Sequence, residues 1–474
     1  MKSETIAAIA TAVSESGIGI IRISGDEAVE TADRIFRTKN GKKKLYKAES
    51  HTMHYGFIVD DSEASIDTLG DGWKDHIIDE VMAAVMKSPR SYTTEDTVEI
   101  SCHGGVLVMR RILETVLKNG ARTAQPGEFT KRAFLNGRID LAKAEAVIDV
   151  IHSKNEFALK SSVQQLKGSV SDAVKKLREE ILYEMAFIES ALDDPEHISL
   201  EGYHDRLEAK TDSLLERIGK LISSADNGKM MKEGINTVIV GKPNAGKSSL
   251  LNLLVGEERA IVTEIAGTTR DVLQESIRLN GIGLNMIDTA GIRDTQDVVE
   301  KIGVEKAKKF AAEADLIIYV VDASVPLDES DYEIIPLTGD KNTIVLLNKT
   351  DLNCVVEEEE LVKLIPNEDV RILRTSTKEN IGIEEFENTV KDMFFQGRLQ
   401  MNEEVVITSM RHKEALENAY ESLRMVKNSL DMDMPEDFYS IDLMSAYSSL
   451  GVIIGEEVGE DLVNEIFSRF CMGK

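Results

Sequence analysis

The spacing of apolar and polar residues changes along this chain. Over the first 120 residues, apolar runs of strand length are separated by Gly, Ser, Asp and Pro, which predicts strands joined by turns. The predicted strands of this part are 17–25, 51–60, 76–87 and 97–105. Between 141 and 226, apolar residues recur every three or four positions, which predicts long helices. The same helical pattern returns after 385, at 404–430, 437–450 and 459–470.

The middle of the chain alternates strand-like and helix-like segments. Its apolar runs of strand length are 235–241, 284–291, 315–324, 343–351 and 370–377. This alternation predicts a parallel sheet with helices on both faces. We therefore predict a mixed α/β domain followed by a helical domain that is interrupted by an inserted α/β domain. The predicted divisions are 1–120, 121–230 (first helical part), 231–390 (the inserted domain) and 391–474 (second helical part).

Composition narrows the class of protein. The 474 residues are 42% hydrophobic and 30% charged, a balance typical of a globular protein. The net charge of −28 argues against a general attraction to nucleic acid, so any RNA contact must use a local basic patch or a partner. Three separated cysteines, no membrane-spanning apolar run and no secretory signal predict a cytoplasmic location and no membrane span.

A phosphate-binding loop is predicted at residues 241–248, Gly-Lys-Pro-Asn-Ala-Gly-Lys-Ser, between a strand and a helix. Its glycines let backbone N–H groups surround phosphates at the positive end of the helix. Lys247 is expected to reach the β and γ phosphates, and the Ser248 hydroxyl to bind Mg²⁺. The predicted contacts of this loop are Asn244, Ala245, Gly246, Lys247, Ser248 and Ser249.

Three later segments predict that the nucleotide is GTP. Asp288-Thr289-Ala290-Gly291 supplies a carboxylate toward magnesium and a glycine N–H toward the γ-phosphate. Asn348-Lys349-Thr350-Asp351 identifies the base, because the Asp351 carboxylate accepts from the two donors of guanine, whereas adenine would leave it unpaired. Ser376-Thr377-Lys378 is expected to support the guanine from behind.

The segments expected to act during hydrolysis lack one residue that many GTPases have. Residues 267–271, Gly-Thr-Thr-Arg-Asp, supply a threonine that could close on the γ-phosphate and magnesium, the usual switch of such proteins. Many GTPases place a glutamine after the last glycine of the Asp-x-x-Gly segment, but Ile292 stands there. Water activation and charge neutralisation must therefore come from elsewhere.

Nearly the whole chain resembles the MnmE (TrmE) family of tRNA-modification GTPases. The resemblance rests on GKPNAGKSSLLN, TEIAGTTRD, DTAGIRDTQDVVEKIG and NKTD in the nucleotide-binding part, and on PRSYTTEDTVEISCHGG near the N-terminus. It also rests on ARTAQPGEFTKRAFLNGRIDLAKAEAV at 121–147 and on the final Cys-Met-Gly-Lys. It implies a folate-binding-like N-terminal domain, a discontinuous helical domain and an inserted Ras-like GTPase domain.

The resemblance also implies how hydrolysis proceeds without the glutamine. A potassium ion beside the phosphates would replace an arginine finger when two GTPase domains meet. The implied potassium ligands are Asn244, Thr263, Ile265 (through its carbonyl) and Thr268. Thr269 is implied to join Ser248 at magnesium, and Glu300 to orient the water indirectly; without the family, Glu300 is an ordinary solvated charge on a helix.

For the N-terminal domain, the resemblance implies a site for 5-formyltetrahydrofolate or a related tetrahydrofolate. The implied contacts are Arg22, Glu99, Arg138 and Lys474. A carboxylate suits the donors of a pterin, and a cation suits the glutamate tail. Without the family, Arg22 and Glu99 are ordinary strand residues. Cys471 is implied to be a reactive thiol, and its alternative is a cysteine on the apolar side of a helix.

The implied function is installation of an aminomethyl or carboxymethylaminomethyl group on C5 of the wobble uridine of tRNA. The implied assembly is a homodimer joined to the FAD-dependent partner MnmG (GidA) in a heterotetramer-type complex, with tRNA held mainly by the partner. The rival hypothesis is a ribosome-assembly or signalling switch that modifies nothing, because the nucleotide motifs do not report the output.

Overall fold

The computed structural model describes most of the chain. The described residues are 3–40, 45–60, 70–153, 155–194, 196–199, 201–256, 275–279, 282–287, 309–339, 341–367, 370–395, 405–468, 470 and 473. Contacts divide the chain into two compact units: Met1–Ile148, Gln165–Lys175 and Ser448–Lys474 form the first, and Asp149–Gln164 with Lys176–Tyr447 form the second. The finer four-part division stays a prediction from the sequence.

The strands are numbered in chain order. They are β1 Ile6–Ile9, β2 Ser16–Ser24, β3 Phe36–Arg37, β4 Thr52–Val59, β5 Ile77–Met86, β6 Thr97–Gly104, β7 Arg122–Thr123, β8 Ile235–Val240, β9 Glu275–Leu279, β10 Ile282–Met286, β11 Leu316–Asp322, β12 Asn342–Asn348 and β13 Arg371–Arg374.

The α-helices follow the same order. They are α1 Ala28–Ile35, α2 Val106–Lys118, α3 Glu128–Leu135, α4 Leu141–His152, α5 Glu156–Lys167, α6 Ser169–Asp193, α7 Tyr203–Glu233, α8 Lys247–Val255, α9 Glu329–Ile334, α10 Glu358–Leu364, α11 Ile383–Phe395, α12 Met410–Asp431, α13 Glu436–Ile454 and α14 Glu460–Ser468. Short 3₁₀ helices lie at Leu45–Lys47, Gly70–His76 and Ile335–Thr338.

The first unit contains a seven-stranded mixed sheet in the order β3-β4-β5-β6-β2-β1-β7. Alternate residues of each strand point to opposite faces, so Ile21 and Ile23 of β2 enter the core with α1 and α2, and Arg22 points to the other face. In the register of β2 with β6, Arg22 lies opposite Glu99. The sheet therefore places two predicted cofactor residues side by side.

The second unit contains a six-stranded sheet in the order β13-β12-β11-β8-β10-β9. Its central strand β11 is apolar at every position except the last, because both faces of the sheet are covered there. On β11, Ile318 and Val320 pack on the side of α8 and α11, whereas Ile317 and Tyr319 pack on the opposite side. The strands from β13 to β10 are parallel, so their carboxyl ends meet along one edge. Ligands of open α/β sheets bind at that edge.

The predicted fold class is confirmed, and the structure adds strands that the sequence pattern missed. The two-residue strands β3 and β7 and the four-residue strand β1 are too short for a periodic signal. Strand β9 reads Glu-Ser-Ile-Arg-Leu and pairs antiparallel with β10, so the predicted parallel sheet carries one antiparallel edge strand. Among the described helices, none is sufficiently long and apolar to cross a bilayer.

Candidate functional site

The loop between β8 and α8 has the backbone that a phosphate cradle requires. Gly241 has φ 151° and Gly246 has φ 109°, and both values disfavour residues with a side chain. A Cβ on Gly241 would also collide with the carbonyl of Val320 on the neighbouring strand. Asn244 adopts the left-handed conformation at φ 61° and is exposed at the loop surface. The loop therefore keeps its backbone close to the sheet and presents Asn244 to solvent.

Lys247 begins α8, and its side chain folds over the loop. Its Nζ donates to the carbonyls of Gly241, at 2.6 Å, and Lys242, at 2.8 Å. Burial lowers the pKa of this ammonium group. A polyphosphate would offset that burial by supplying negative charge. Ser248 and Ser249 follow in the first turn of the same helix, where backbone N–H groups have no intrahelical partner.

Asn348 connects the phosphate loop to the loop predicted to support guanine. Its Nδ2 donates to the carbonyl of Ala245 at 2.8 Å, and its Oδ1 accepts from the backbone N–H of Thr377 at 3.1 Å. Asn348 is almost fully buried at the carboxyl end of β12. The structure thus brings together two predicted segments that are far apart in the sequence.

Asp351, which is predicted to recognise the base, is held by a hydrogen bond near the carboxyl end of β12. The Ser376 hydroxyl donates to Asp351 Oδ1 at 2.7 Å. This bond, together with the charges of Lys378 and Lys349, lowers the pKa of the Asp351 carboxyl, although that group is exposed. The carboxylate therefore stays ionised well below neutral pH and remains an acceptor for guanine donors.

Sequence reasoning missed the partner of Lys349. Lys349 has φ 66°, and its Nζ lies 2.6 Å from Asp322 Oδ2, while Ser324 donates to the other carboxylate oxygen. Burial opposes ionisation of Asp322, but the bonds from Lys349 and Ser324 prevail and lower its pKa. Asp322 is the last residue of the apolar strand β11. A carboxylate at the carboxyl end of a buried strand indicates a site residue, so Asp322 could have been predicted from the sequence.

Other predicted site residues lie outside the described part of the chain, so their roles stay predictions. They are Thr263, Ile265, Thr268, Thr269, Asp288, Thr289, Ala290, Gly291, Glu300, Cys471 and Lys474.

In the first unit, the predicted cofactor residues Arg22 and Arg138 lie near one aromatic ring, that of Tyr92, and a third, Glu99, pairs with Arg22. The Arg22 Nε lies 2.8 Å from Glu99 Oε1, and the guanidinium centre of Arg22 lies 5.8 Å from the Tyr92 ring centroid. Arg138 lies 5.0 Å from the same centroid and donates to the Tyr92 carbonyl at 2.7 Å. Tyr92 was not predicted, since an isolated tyrosine in a turn carries no local signal.

Gly473, the next-to-last residue, contacts the cluster formed by Arg22, Glu99, Tyr92 and Arg138 through Arg22. Arg22 Nη1 donates to the carbonyl of Gly473 at 3.0 Å, and a Cβ on Gly473 would collide with the backbone of Ala10. A small residue is therefore needed where the tail meets the end of β1. Beside the cluster lies an open pocket of about 590 Å³. Its lining is His51, Met86, Pro89, Arg90, Ser91, Tyr92, Thr94, Asn136, Gly137 and Arg138.

The fold and the site of the second unit define a phosphate-loop GTPase. Family models match along the chain, as GTP-binding protein TrmE N-terminus over residues 5–138 and as MnmE helical domain over residues 141–471. The tRNA modification GTPase MnmE of Lachnoclostridium phytofermentans is 58% identical over 474 residues, which is 100% of both chains. That of Clostridioides difficile is 48% identical over 99% of each. This chain belongs to the MnmE family.

A solved structure, the G domain of the T. maritima FeoB iron transporter, is 25% identical to this chain with a TM-score of 0.25. The match covers 33% of this chain and 97% of that one.

Exchange of the base-reading carboxylate is expected to change nucleotide choice. Asp351→Asn replaces two acceptor oxygens by one acceptor and one donor, which suits xanthine, whose C2 carbonyl accepts. We expect the Kd for GDP to rise about 100-fold or more, since hydrogen bonds to charged groups contribute about 1.5–3 kcal/mol each. Titration with guanosine diphosphate and with xanthosine diphosphate measures the Kd of each variant for the two nucleotides. The exposed Asp392→Asn on α11 is the matched control, and equal GDP binding by the two variants would contradict the assignment.

Proposed function

We propose that this chain is the GTP-hydrolysing component of a complex that modifies C5 of the wobble uridine of tRNA. The observation that carries the nucleotide part is the pair of hydrogen bonds that Asn348 makes with Ala245 and Thr377. They join the phosphate loop to the loop at 376–378 (the base loop), whose Ser376 donates to Asp351. Relatives that are 58% and 48% identical along their full or nearly full length are named tRNA modification GTPases, which supports the tRNA part.

In the proposed hydrolysis, the loop backbone and Lys247 hold the phosphates, and Ser248 with Thr269 holds Mg²⁺. Asn348, Lys349 and Asp351 select guanine. Other contacts proposed for the nucleotide and its magnesium are Ala245, Gly246, Ser249, Asp288, Thr289, Ala290, Gly291, Ser376, Thr377 and Lys378. Positioned cations stabilise the charge that spreads over the phosphate oxygens in the transition state.

A potassium ion supplies the cation that an arginine would otherwise provide. Asn244 is its proposed ligand on the phosphate loop, where its amide is exposed and able to face an ion. Thr263, Ile265 and Thr268 are the proposed remaining ligands, and Glu300 is proposed to orient the attacking water indirectly, through a second water. In the proposed cycle, two GTPase domains close on each other around the nucleotides and open after hydrolysis.

Turnover is therefore expected to depend on the monovalent cation. We expect GTP hydrolysis by the full chain to be at least about tenfold faster in K⁺ than in Na⁺ at equal ionic strength, because the ion stabilises transition-state charge. Phosphate release measures the rate. Asn244→Ala is expected to lose most of the difference, and the matched change Asn252→Ala, on the exposed side of α8, to keep it. Equal rates in the two salts would exclude the potassium role.

The Arg22–Glu99 cluster is the proposed folate site. Glu99 can accept from the amino and ring N–H groups of a pterin, while Arg138 and Lys474 suit the carboxylates of the glutamate tail. Tyr92 offers an aromatic ring whose centroid lies 5.8 Å from Arg22 and 5.0 Å from Arg138. The approach of Gly473 to Arg22 supports a site shared with the C-terminal tail. Cys471 is proposed as the thiol that this tail delivers.

Binding of 5-formyltetrahydrofolate to the full chain tests this site. We expect Glu99→Gln to raise its Kd about tenfold or more, because one acceptor of the pterin donors becomes a donor. Calorimetric titration measures the Kd. Glu114→Gln on the exposed side of α2 is the control and is expected to bind like the unchanged chain. The alternative is that the N-terminal domain is only a dimer platform with a vestigial pocket, and in that case neither the unchanged chain nor the variants would bind folate.

The proposed assembly is a cytoplasmic homodimer that acts with FAD-dependent MnmG in a heterotetramer-type complex. A net charge of −28 is unfavourable for binding the phosphates of tRNA, so the partner is proposed to hold most of the tRNA. GTP hydrolysis would switch the conformation of the complex and take no part in the carbon transfer.

Mass spectrometry of tRNA nucleosides separates this function from that of a switch with another output. In cells that lack the gene and any second copy, we expect C5-aminomethyl-type wobble uridines to disappear, because the complex lacks its GTPase. The unchanged gene should restore them, and a Lys247→Ala gene should not. Persistence of these nucleosides without the gene would favour the ribosome-assembly or signalling switch.

A further inference from the structure

The second residue of the phosphate loop is tied into the interior of its domain. The side chain of Lys242 is 8% exposed, and its Nζ lies 2.9 Å from Asp331 Oδ2 and 3.2 Å from Asp328 Oδ2. It also donates to the carbonyl of Pro326 at 3.3 Å. Lys242 therefore joins the loop to the start of helix α9, 86 to 89 residues further along the chain.

Asp331 is the more buried of the two carboxylates, and both of its oxygens accept hydrogen bonds. Its Oδ1 accepts from the Tyr319 hydroxyl at 2.9 Å, and its Oδ2 accepts from the backbone N–H of Asp328 at 3.1 Å as well as from Lys242. Tyr319 lies on β11 directly opposite Val240, the last residue before the loop. Tyr319 is thus held by the sheet, while Asp328 is the N-cap of α9 and forms a capping box with Asp331.

Stability alone is a weak reason to keep such a pair. Burial on its own would lower the pKa of Lys242, but its bonds to Asp331 and Asp328 prevail and raise it, so the ion pair stays charged. Replacement of a buried ion pair by apolar residues of similar volume often leaves the stability of a protein unchanged or raises it. An ion pair differs from such residues because its directional hydrogen bonds fix the positions of both partners. In this loop the backbone carbonyl of Lys242 accepts from Lys247 at 2.8 Å.

We propose that the Lys242–Asp331 pair holds the phosphate loop, and with it Lys247, in the position required to contact the nucleotide phosphates. This inference rests on the proposed role of Lys247 at the phosphates. Neither Lys242 nor Asp331 needs to touch the nucleotide. Displacement of a binding or catalytic group by about 1 Å can lower the rate of an enzyme about 100-fold.

The test compares nucleotide affinity, turnover and thermal stability of full-length variants. We expect Lys242→Met to raise the Kd for GDP and GTP about tenfold or more and to lower kcat by a similar factor. Lys242→Arg, which keeps the charge and can reach Asp331, is expected to stay within about threefold of the unchanged chain. If Lys242→Met does not purify in a folded form, Asp331→Asn, which keeps the side-chain size, is measured in its place.

The matched control is Lys341→Met. Lys341 also donates to two backbone carbonyls, those of Ala312 and Ala314, but it lies before β12, at the opposite end of the strand from Asn348. Its loss is expected to lower the melting temperature and leave Kd and kcat unchanged. The same outcome for Lys242→Met or Asp331→Asn would overturn the positioning role. An unchanged chain that binds no guanine nucleotide would instead refute the proposed function.

Discussion

The nucleotide site depends on one buried amide. Asn348 spans the gap between the phosphate loop and the base loop, with Ala245 as acceptor on one side and Thr377 as donor on the other. The bond to Ala245 is buried and the bond from Thr377 is partly buried. A buried polar group that loses its partner costs about 1–3 kcal/mol, so a shift of either loop is unfavourable. The distance between the phosphate end and the guanine end of the site is thereby fixed before a ligand arrives.

The sheet makes this arrangement possible. Parallel strands β8, β11 and β12 end along one edge, and each delivers a different group there: the phosphate loop, Asp322 and Asn348. Strands covered on both faces have little freedom to slide, because a shift would disturb two cores at once. The buried pair of Lys242 and Asp331 restricts the phosphate loop in a similar way, because it connects the loop to the capped start of α9.

The sequence is most informative where the expected function depends on local spacing. The glycine, lysine and serine of the phosphate loop, and Asp351 three residues after Asn348, form recognisable patterns because a phosphate loop holds its ligand with a continuous stretch of backbone. Long apolar runs likewise predicted the sheet. Short strands such as β3, with two residues, carry no period to detect.

Groups that meet across long separations left no local signal. Asp331 is 89 residues from Lys242, and Gly473 is 451 residues from Arg22. Their contacts follow from the sheet order and the path of the chain, which the spacing of residues does not reveal. Tyr92 and Asp322 contact predicted residues that are 46 and 27 positions away, Arg138 and Lys349, and only the structure shows these contacts.

Nucleotide competition on the purified full-length chain measures guanine selectivity most directly. A fluorescent GDP analogue is bound first, and unlabelled GTP or ATP is then added. We expect GTP to displace the analogue from one site per chain and a roughly 100-fold excess of ATP not to displace it, since adenine leaves the Asp351 carboxylate unpaired. Displacement by ATP and GTP at similar concentrations would contradict a site built to select guanine.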